Sequence, residues 1–146
     1  MKRLAVLGSA GSIGRQALDV ADRHRERLRV VALATGGDLE ELCRQARTWQ
    51  PELLGLEQAA DAGAASDALE RACPRARVMV GTGAAARVAA EADCDVVLNG
   101  IVGAAGLAPS LAGRAVQRGR PWLRPACLGA RAAVECANRL LGGRSR

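Results

Sequence analysis

Apolar and polar positions follow two alternating rhythms along this chain. Residues 4–7 are an apolar run closed by Gly8, the length and punctuation of a buried parallel strand. From Ile13 the spacing lengthens, and Ile13, Ala17, Leu18 and Ala21 recur at helical intervals. Residues 28–34 predict a second strand, stopped at Gly36-Gly37. Asp38-Leu39-Glu40-Glu41 resembles a capping box with an acidic cap, and the helix it opens should end near Trp49, before Pro51. The same rhythm predicts strands over 53–56, 77–80 and 95–98, with helices over 57–72, 84–92 and 107–118. An Asn99–Gly106 loop, rich in glycine and small residues, follows the fifth strand.

Strands that alternate with helices in this way imply a parallel sheet covered on both faces by right-handed crossovers. The expected fold is a single-domain α/β protein with a Rossmann-like, doubly wound, mainly parallel sheet. After Gly119 the pattern fails. Pro121 and Pro125 interrupt any strand beyond Trp122-Leu123, and only residues 131–141 read as helical. The organisation expected is a dinucleotide-binding domain over 1–120 and a divergent Arg-rich tail over 121–146, partly disordered.

Charge sharpens that boundary. The 146 residues carry 21 basic and 15 acidic side chains. Residues 1–113 hold 13 of the basic and 14 of the acidic ones, whereas the last 33 hold eight arginines against Glu135 alone. The basic excess therefore belongs to the tail. With two Trp and no Phe or Tyr, stacking platforms for single-stranded nucleic acid are essentially absent. No run reaches the ~18 apolar residues of a membrane span, and Met1-Lys2-Arg3 leads into no secretory signal. The five cysteines (Cys43, Cys73, Cys94, Cys127, Cys136) form no C-x-x-C pair, which fits reduced thiols in the cytoplasm. His24 is the single histidine, so a His-based metal site or a Ser/His/Asp triad is poorly supported.

The segment that carries chemistry is Gly8-Ser9-Ala10-Gly11-Ser12-Ile13-Gly14, between the first strand and the first helix. It is a variant of the dinucleotide fingerprint with glycines three apart. Gly8 permits the tight turn, Gly11 lets backbone approach a pyrophosphate, and Gly14 lets helix and strand pack closely. The N–H groups of the first helical turn then face the phosphates, and Ser12 can add a hydroxyl donor. At the end of the second strand, where cofactors are told apart, the chain offers Thr35-Gly36-Gly37-Asp38. Asp38 can cap the next helix or contact a ribose, and Arg15 is the nearest candidate cation. Spacing alone leaves NADPH and NADH open.

MKRLAVLGSAGSIGRQALDV and NGIVGAAGLAPSL together resemble the amino-terminal domain of 1-deoxy-D-xylulose 5-phosphate reductoisomerases, whose pattern is G-S-T-G-S-I-G and, about 90 residues later, A-I-V-G-A-A-G-L. The resemblance covers roughly residues 1–120. It implies an NADPH-dependent enzyme of the non-mevalonate isoprenoid pathway, which converts 1-deoxy-D-xylulose 5-phosphate to 2-C-methyl-D-erythritol 4-phosphate with a divalent metal. By position, Ala10, Gly11, Ser12 and Ile13 would line the cofactor phosphates, with Gly8 and Gly14 of the same fingerprint counted among the cofactor-binding residues. Gly36, Gly37 and Asp38 would lie near the adenosine ribose, and Gly100 and Ile101 near the nicotinamide. Ala10 stands where the family usually has Thr. Asp38 puts a carboxylate near any 2′-phosphate, so NADH stays beside NADPH as a candidate.

Where the family has A-N-K-E-S, this chain has Pro125-Ala126-Cys127-Leu128-Gly129, without the lysine and glutamate. No metal-binding carboxylate cluster is evident either. The expectation is a truncated or decayed reductoisomerase whose cofactor domain does not turn over alone. It would act with a missing catalytic domain or as a homo-oligomer. A stand-alone, non-catalytic dinucleotide-binding module is the alternative. A basic nucleic-acid arm ranks third, since the tail has no reading element and one aromatic residue, Trp122.

Overall fold

A computed structural model describes residues 1–116 and 122–123 of the chain. The Arg-rich tail, including the helix expected over 131–141, otherwise lies outside the described residues. Six parallel strands form one sheet: β1 (Lys2–Leu7), β2 (Leu28–Thr35), β3 (Leu53–Leu56), β4 (Arg77–Val80), β5 (Val96–Asn99) and the two-residue β6 (Trp122–Leu123). Their order is β4-β3-β2-β1-β5-β6. The connecting helices are α1 (Ser12–Arg23), α2 (Leu39–Trp49), α3 (Ala62–Ala72) and α4 (Ala84–Glu91). A single 3₁₀ turn over Ala104–Gly106 leads into α5 (Leu107–Val116). This is the doubly wound architecture that the apolar rhythm predicts.

The pleat divides the strand side chains between two cores. Leu4, Val6, Leu33, Leu54 and Leu56 point to one face and pack against buried residues of α1, α2 and α3. Ala5, Ala32, Ala34 and Met79 point to the other, against Ala84, Ala85, Val88 and Ala89 of α4. Successive strand residues face opposite sides, so one apolar run serves both cores. Small residues on the α4 side bring that helix close to the sheet, and α5 packs on α4 in turn. A core without Phe or Tyr is closed by proximity instead of bulk. At the opposite edge of the sheet, Arg3 donates to Glu52 at 2.7 Å and to the Asp93 carbonyl at 2.6 Å, away from the loops described below.

One boundary differs from expectation by more than two residues. The third helix begins at Ala62, not Glu57. Asp61 is its N-cap, with Oδ1 accepting from the Ala64 N–H at 3.0 Å. Residues 57–61 form the connection, and Glu57 is drawn across to α4.

The tightest joint is between the first strand's turn and α1. Gly8 has φ +74°, a conformation L side chains rarely adopt. A Cβ on Gly14 would lie 2.1 Å from the Gly8 carbonyl oxygen and 2.6 Å from the Ser9 Cα, both backbone atoms that cannot swing aside. Gly36, by contrast, has nothing within 4 Å of such a carbon. Gly14→Ala is therefore expected to cost about 3 kcal/mol or more in chemical denaturation. Gly36→Ala should stay within about 0.5 kcal/mol. Equal effects at the two positions would contradict this packing.

Candidate cofactor site

The chain lays β1 to β4 in order along one side, then returns to place β5 on the far side of β1. Loops leaving β1 and β5 diverge at this reversal and open a crevice at the carboxyl ends of the strands. Gly8 and Ser9 both donate their N–H groups to the Ala34 carbonyl of β2, at 2.8 and 2.9 Å. Gly100 donates to the Leu7 carbonyl at 2.8 Å. Carbonyls of two strands, β1 and β2, thus fix the two loops.

Helix N-termini at this edge differ in how their free N–H groups are met. Asp38 caps α2, its Oδ1 accepting from the Glu41 N–H at 3.0 Å. Asp61 caps α3. At α4 the carboxylate arrives from another strand: Glu57, just after β3, accepts from the Gly83 N–H at 2.6 Å and the Ala85 N–H at 3.0 Å. Among these four, only α1 has no carboxylate accepting from its N-terminal N–H groups. Its first helical bond runs from the Arg15 N–H to the Gly11 carbonyl at 2.9 Å. The N–H groups of Ser12, Ile13 and Gly14 come before it, at the positive end of the helix dipole. Gly11 and Ser12 are exposed at that end. An anion suits the position.

Beside this turn a cavity of about 370 Å³ runs along the ends of β2, β3 and β5. Thr35, Gly36, Glu57 and Gln58 line one end, and Ile101, Ala104, Ala105, Ala108 and Pro109 the other. Gly36 and Ile101, both anticipated from sequence, meet in one cavity. Gly11 and Ser12 are not in its lining. Gly8, Gly14 and Gly100 serve close packing, a Cβ on Gly100 falling 3.3 Å from Ile13 Cγ2. Ala10 and Ile13 are half-buried, while Gly37 and Asp38 are exposed at the turn after β2.

Two supporting residues escaped the sequence reading. Asn99, 1% exposed, donates to the Gly106 carbonyl at 2.8 Å and to Ser110 Oγ at 2.7 Å, and accepts from the Ile101 N–H at 3.1 Å. It folds the small-residue loop back over the strand end, and an amide closing an apolar strand was the available signal. Gln45, also 1% exposed, reaches from α2 to the Ser9 carbonyl at 3.0 Å and to Glu41 Oε1 at 2.9 Å. A polar residue at a buried helical position was its only trace.

Glu41 is the hub of the α1–α2 junction. It accepts from Arg44 Nε at 2.8 Å and Nη2 at 2.6 Å, and lies 3.8 Å from Arg15 Nε. Hydrogen bonds from Arg44 outweigh the burial that raises its pKa; with Gln45 and the charges of Arg44 and Arg15, they hold its carboxyl at about 2 instead of 4.5.

A parallel, doubly wound sheet with an uncapped, glycine-flanked helix N-terminus at its switch point defines a Rossmann-like domain. The particular lineage is equally plain: the model of the 1-deoxy-D-xylulose 5-phosphate reductoisomerase family matches residues 4–121, and the chain belongs to that family. It is 41% identical over 112 residues to the reductoisomerase of Thermosynechococcus vestitus, covering 77% of this chain and 27% of that protein. With the Symbiobacterium thermophilum reductoisomerase it shares 44% over 122 residues, covering 82% of this chain and 31% of the relative. Among solved structures, a DOX-P reductoisomerase in complex with NADPH, fosmidomycin and magnesium matches with a TM-score of 0.77 at 27% identity, over 86% of this chain and 30% of that one. The chain thus spans about 30% of the length of the relatives it matches.

The lowered pKa of Glu41 has a consequence for acid stability. A carboxyl with a depressed folded pKa contributes stability above its ordinary value of 4.5 and loses it as pH falls toward about 2. Arg44 is 65% exposed, so the contribution at neutral pH is held to about 1 kcal/mol. Glu41→Gln should lose that amount at neutral pH and show a flatter stability profile from pH 4.5 to 2 in urea titrations. An unchanged acid profile would remove Glu41 from this role.

Proposed function

We propose that residues 1–120 form a dinucleotide-binding domain that holds NADPH across the carboxyl ends of β1, β2 and β5. The observation that carries this reading is the α1 N-terminus, left open to an anion while α2, α3 and α4 are closed by carboxylates. Gly8, Ala10, Gly11, Ser12, Ile13 and Gly14 cradle the pyrophosphate through backbone N–H groups and the Ser12 hydroxyl. Gly36, Gly37 and Asp38 flank the adenosine ribose. Gly100 and Ile101 border the nicotinamide, on the loop that Asn99 pins. The 370 Å³ cavity that Gly36 and Ile101 both line supports a ligand at this edge.

When bound, NADPH supplies a hydride. The chain's own residues position the dinucleotide and exclude water from one face of it. Family membership supports the reductoisomerase reaction as the one this domain serves. Among the described residues no group of three or more His, Cys, Asp or Glu side chains could hold a metal ion, so no step is assigned to one. Pro125–Gly129 stand where the resemblance places a lysine and a glutamate, and we propose that these 146 residues do not turn over by themselves. No helix among the described residues is long and apolar enough to cross a membrane. Cys43, Cys73 and Cys94, buried and unbridged, support a reducing, cytoplasmic setting.

Titration of the nicotinamide fluorescence should show saturable binding of NADPH. Ser12→Asp, which puts a carboxylate into the first turn of α1, should weaken it by about tenfold or more while leaving the melting temperature near that of the parent. Absence of saturable binding to NADPH and NADH alike would overturn the reading. So would full affinity in Ser12→Asp.

A further inference from the structure

We infer that Arg15, assisted by Arg47, recognises a phosphate on the 2′-position of the adenosine ribose, which makes it a residue that sets the choice between NADPH and NADH. The inference rests on the dinucleotide reading above. The turn after β2, where the two cofactors differ, supplies no cation of its own. Gly36 and Gly37 have no side chains, and the Asp38 carboxylate caps α2. A second cavity, of about 330 Å³, is lined by Asp38 together with Arg15, Glu40, Glu41, Arg44 and Arg47. Asp38 places it at the end of the same turn. The cations reach it from two helices: Arg15 from the first turn of α1, Arg44 and Arg47 from α2.

Counting formal charges, the lining is neutral, but its groups are not equally committed. Asp38 is engaged with the α2 N-terminus. Glu41 is 12% exposed and holds Arg44 through two short hydrogen bonds, while Gln45 fixes the same carboxylate from a buried position. With those groups set aside, Arg15 and Arg47 face Glu40. Arg15 is only loosely held, 3.8 Å from Glu41 and 56% exposed. Its guanidinium can turn toward a phosphate without breaking a short bond, and a planar fork of donors suits phosphate oxygens. Gln45 adds a geometric link, since it also holds the Ser9 carbonyl of the phosphate turn. The groups around the 2′-position are thereby set at a fixed distance from the pyrophosphate cradle. A 2′-hydroxyl has no charge for Arg15 to meet, so NADH gains nothing from it.

The test compares the full chain with Arg15→Ala and Arg15→Lys, each titrated with NADPH and with NADH. A charge-assisted contact of about 1.5–3 kcal/mol corresponds to about a 10- to 150-fold rise in the NADPH dissociation constant for Arg15→Ala. The NADH constant should stay within about twofold, since that ligand makes no such contact. Arg15→Lys should fall between, keeping charge but losing the fork. On the unaltered chain, 2′-AMP should displace NADPH more strongly than 5′-AMP, a readout that needs no variant to fold. Equal losses for both dinucleotides, no loss for NADPH, or equal displacement by the two nucleotides would each overturn the role of Arg15 while leaving dinucleotide binding intact. If the unaltered chain bound neither dinucleotide, both readings would fall together.

Discussion

Everything at the candidate site depends on one contact, the backbone of Gly8 and Ser9 lying where a side chain on Gly14 would be. That contact sets how closely α1 approaches β1, and therefore where the first-turn N–H groups point. It also explains why Gly8 takes a left-handed conformation: the chain must reverse within a few residues to enter the helix so near the strand it has left. Ala34 on β2 and Leu7 on β1 accept the N–H groups of the two loops, so the sheet itself holds the turn in place. Position here comes from backbone, not from long side chains.

Carboxylates complete the arrangement by their distribution. Each of α2, α3 and α4 has its N-terminal N–H groups answered by an aspartate or glutamate, and in α4 the acid comes from the end of a different strand. Such caps stabilise a helix and also fill the place an anion would take. At α1 the sequence supplies Gly11 and Ser12 instead. Of α1 to α4, one positive helix end at this edge of the sheet is thus not cancelled locally, and the same edge carries a cavity of about 370 Å³. One solved relative is a complex with NADPH, and the dinucleotide proposed above for this chain would place its pyrophosphate at that end.

Much of this was legible in the residues. The strands ended in glycine because the loops had to turn sharply, and the helices showed because their buried faces recur at three and four residues. Asp38 read as a cap, and a cap it is. The beginning of α3 did not read correctly, since Glu57 has good helical propensity and its partner lies 26 residues away on the far side of β4. Asn99 and Gln45 escaped for the same reason: their work is done on backbone groups that only the folded chain brings near. Arg15 was visible as a cation, but its direction was not, because the first turn of a helix does not disclose which neighbouring element it will meet. Long-range polar contacts are what periodicity cannot encode.

Amide spectra of the isotopically labelled chain, recorded as NADPH is added, test the central claim most directly. Perturbations should concentrate at the N–H groups of Gly11 to Arg15, at Gly36 and Gly37, and around Ile101, with α3 and the Arg3–Glu52 edge unmoved. Perturbations that instead gathered at that opposite edge, or that spared the first turn of α1, would contradict it.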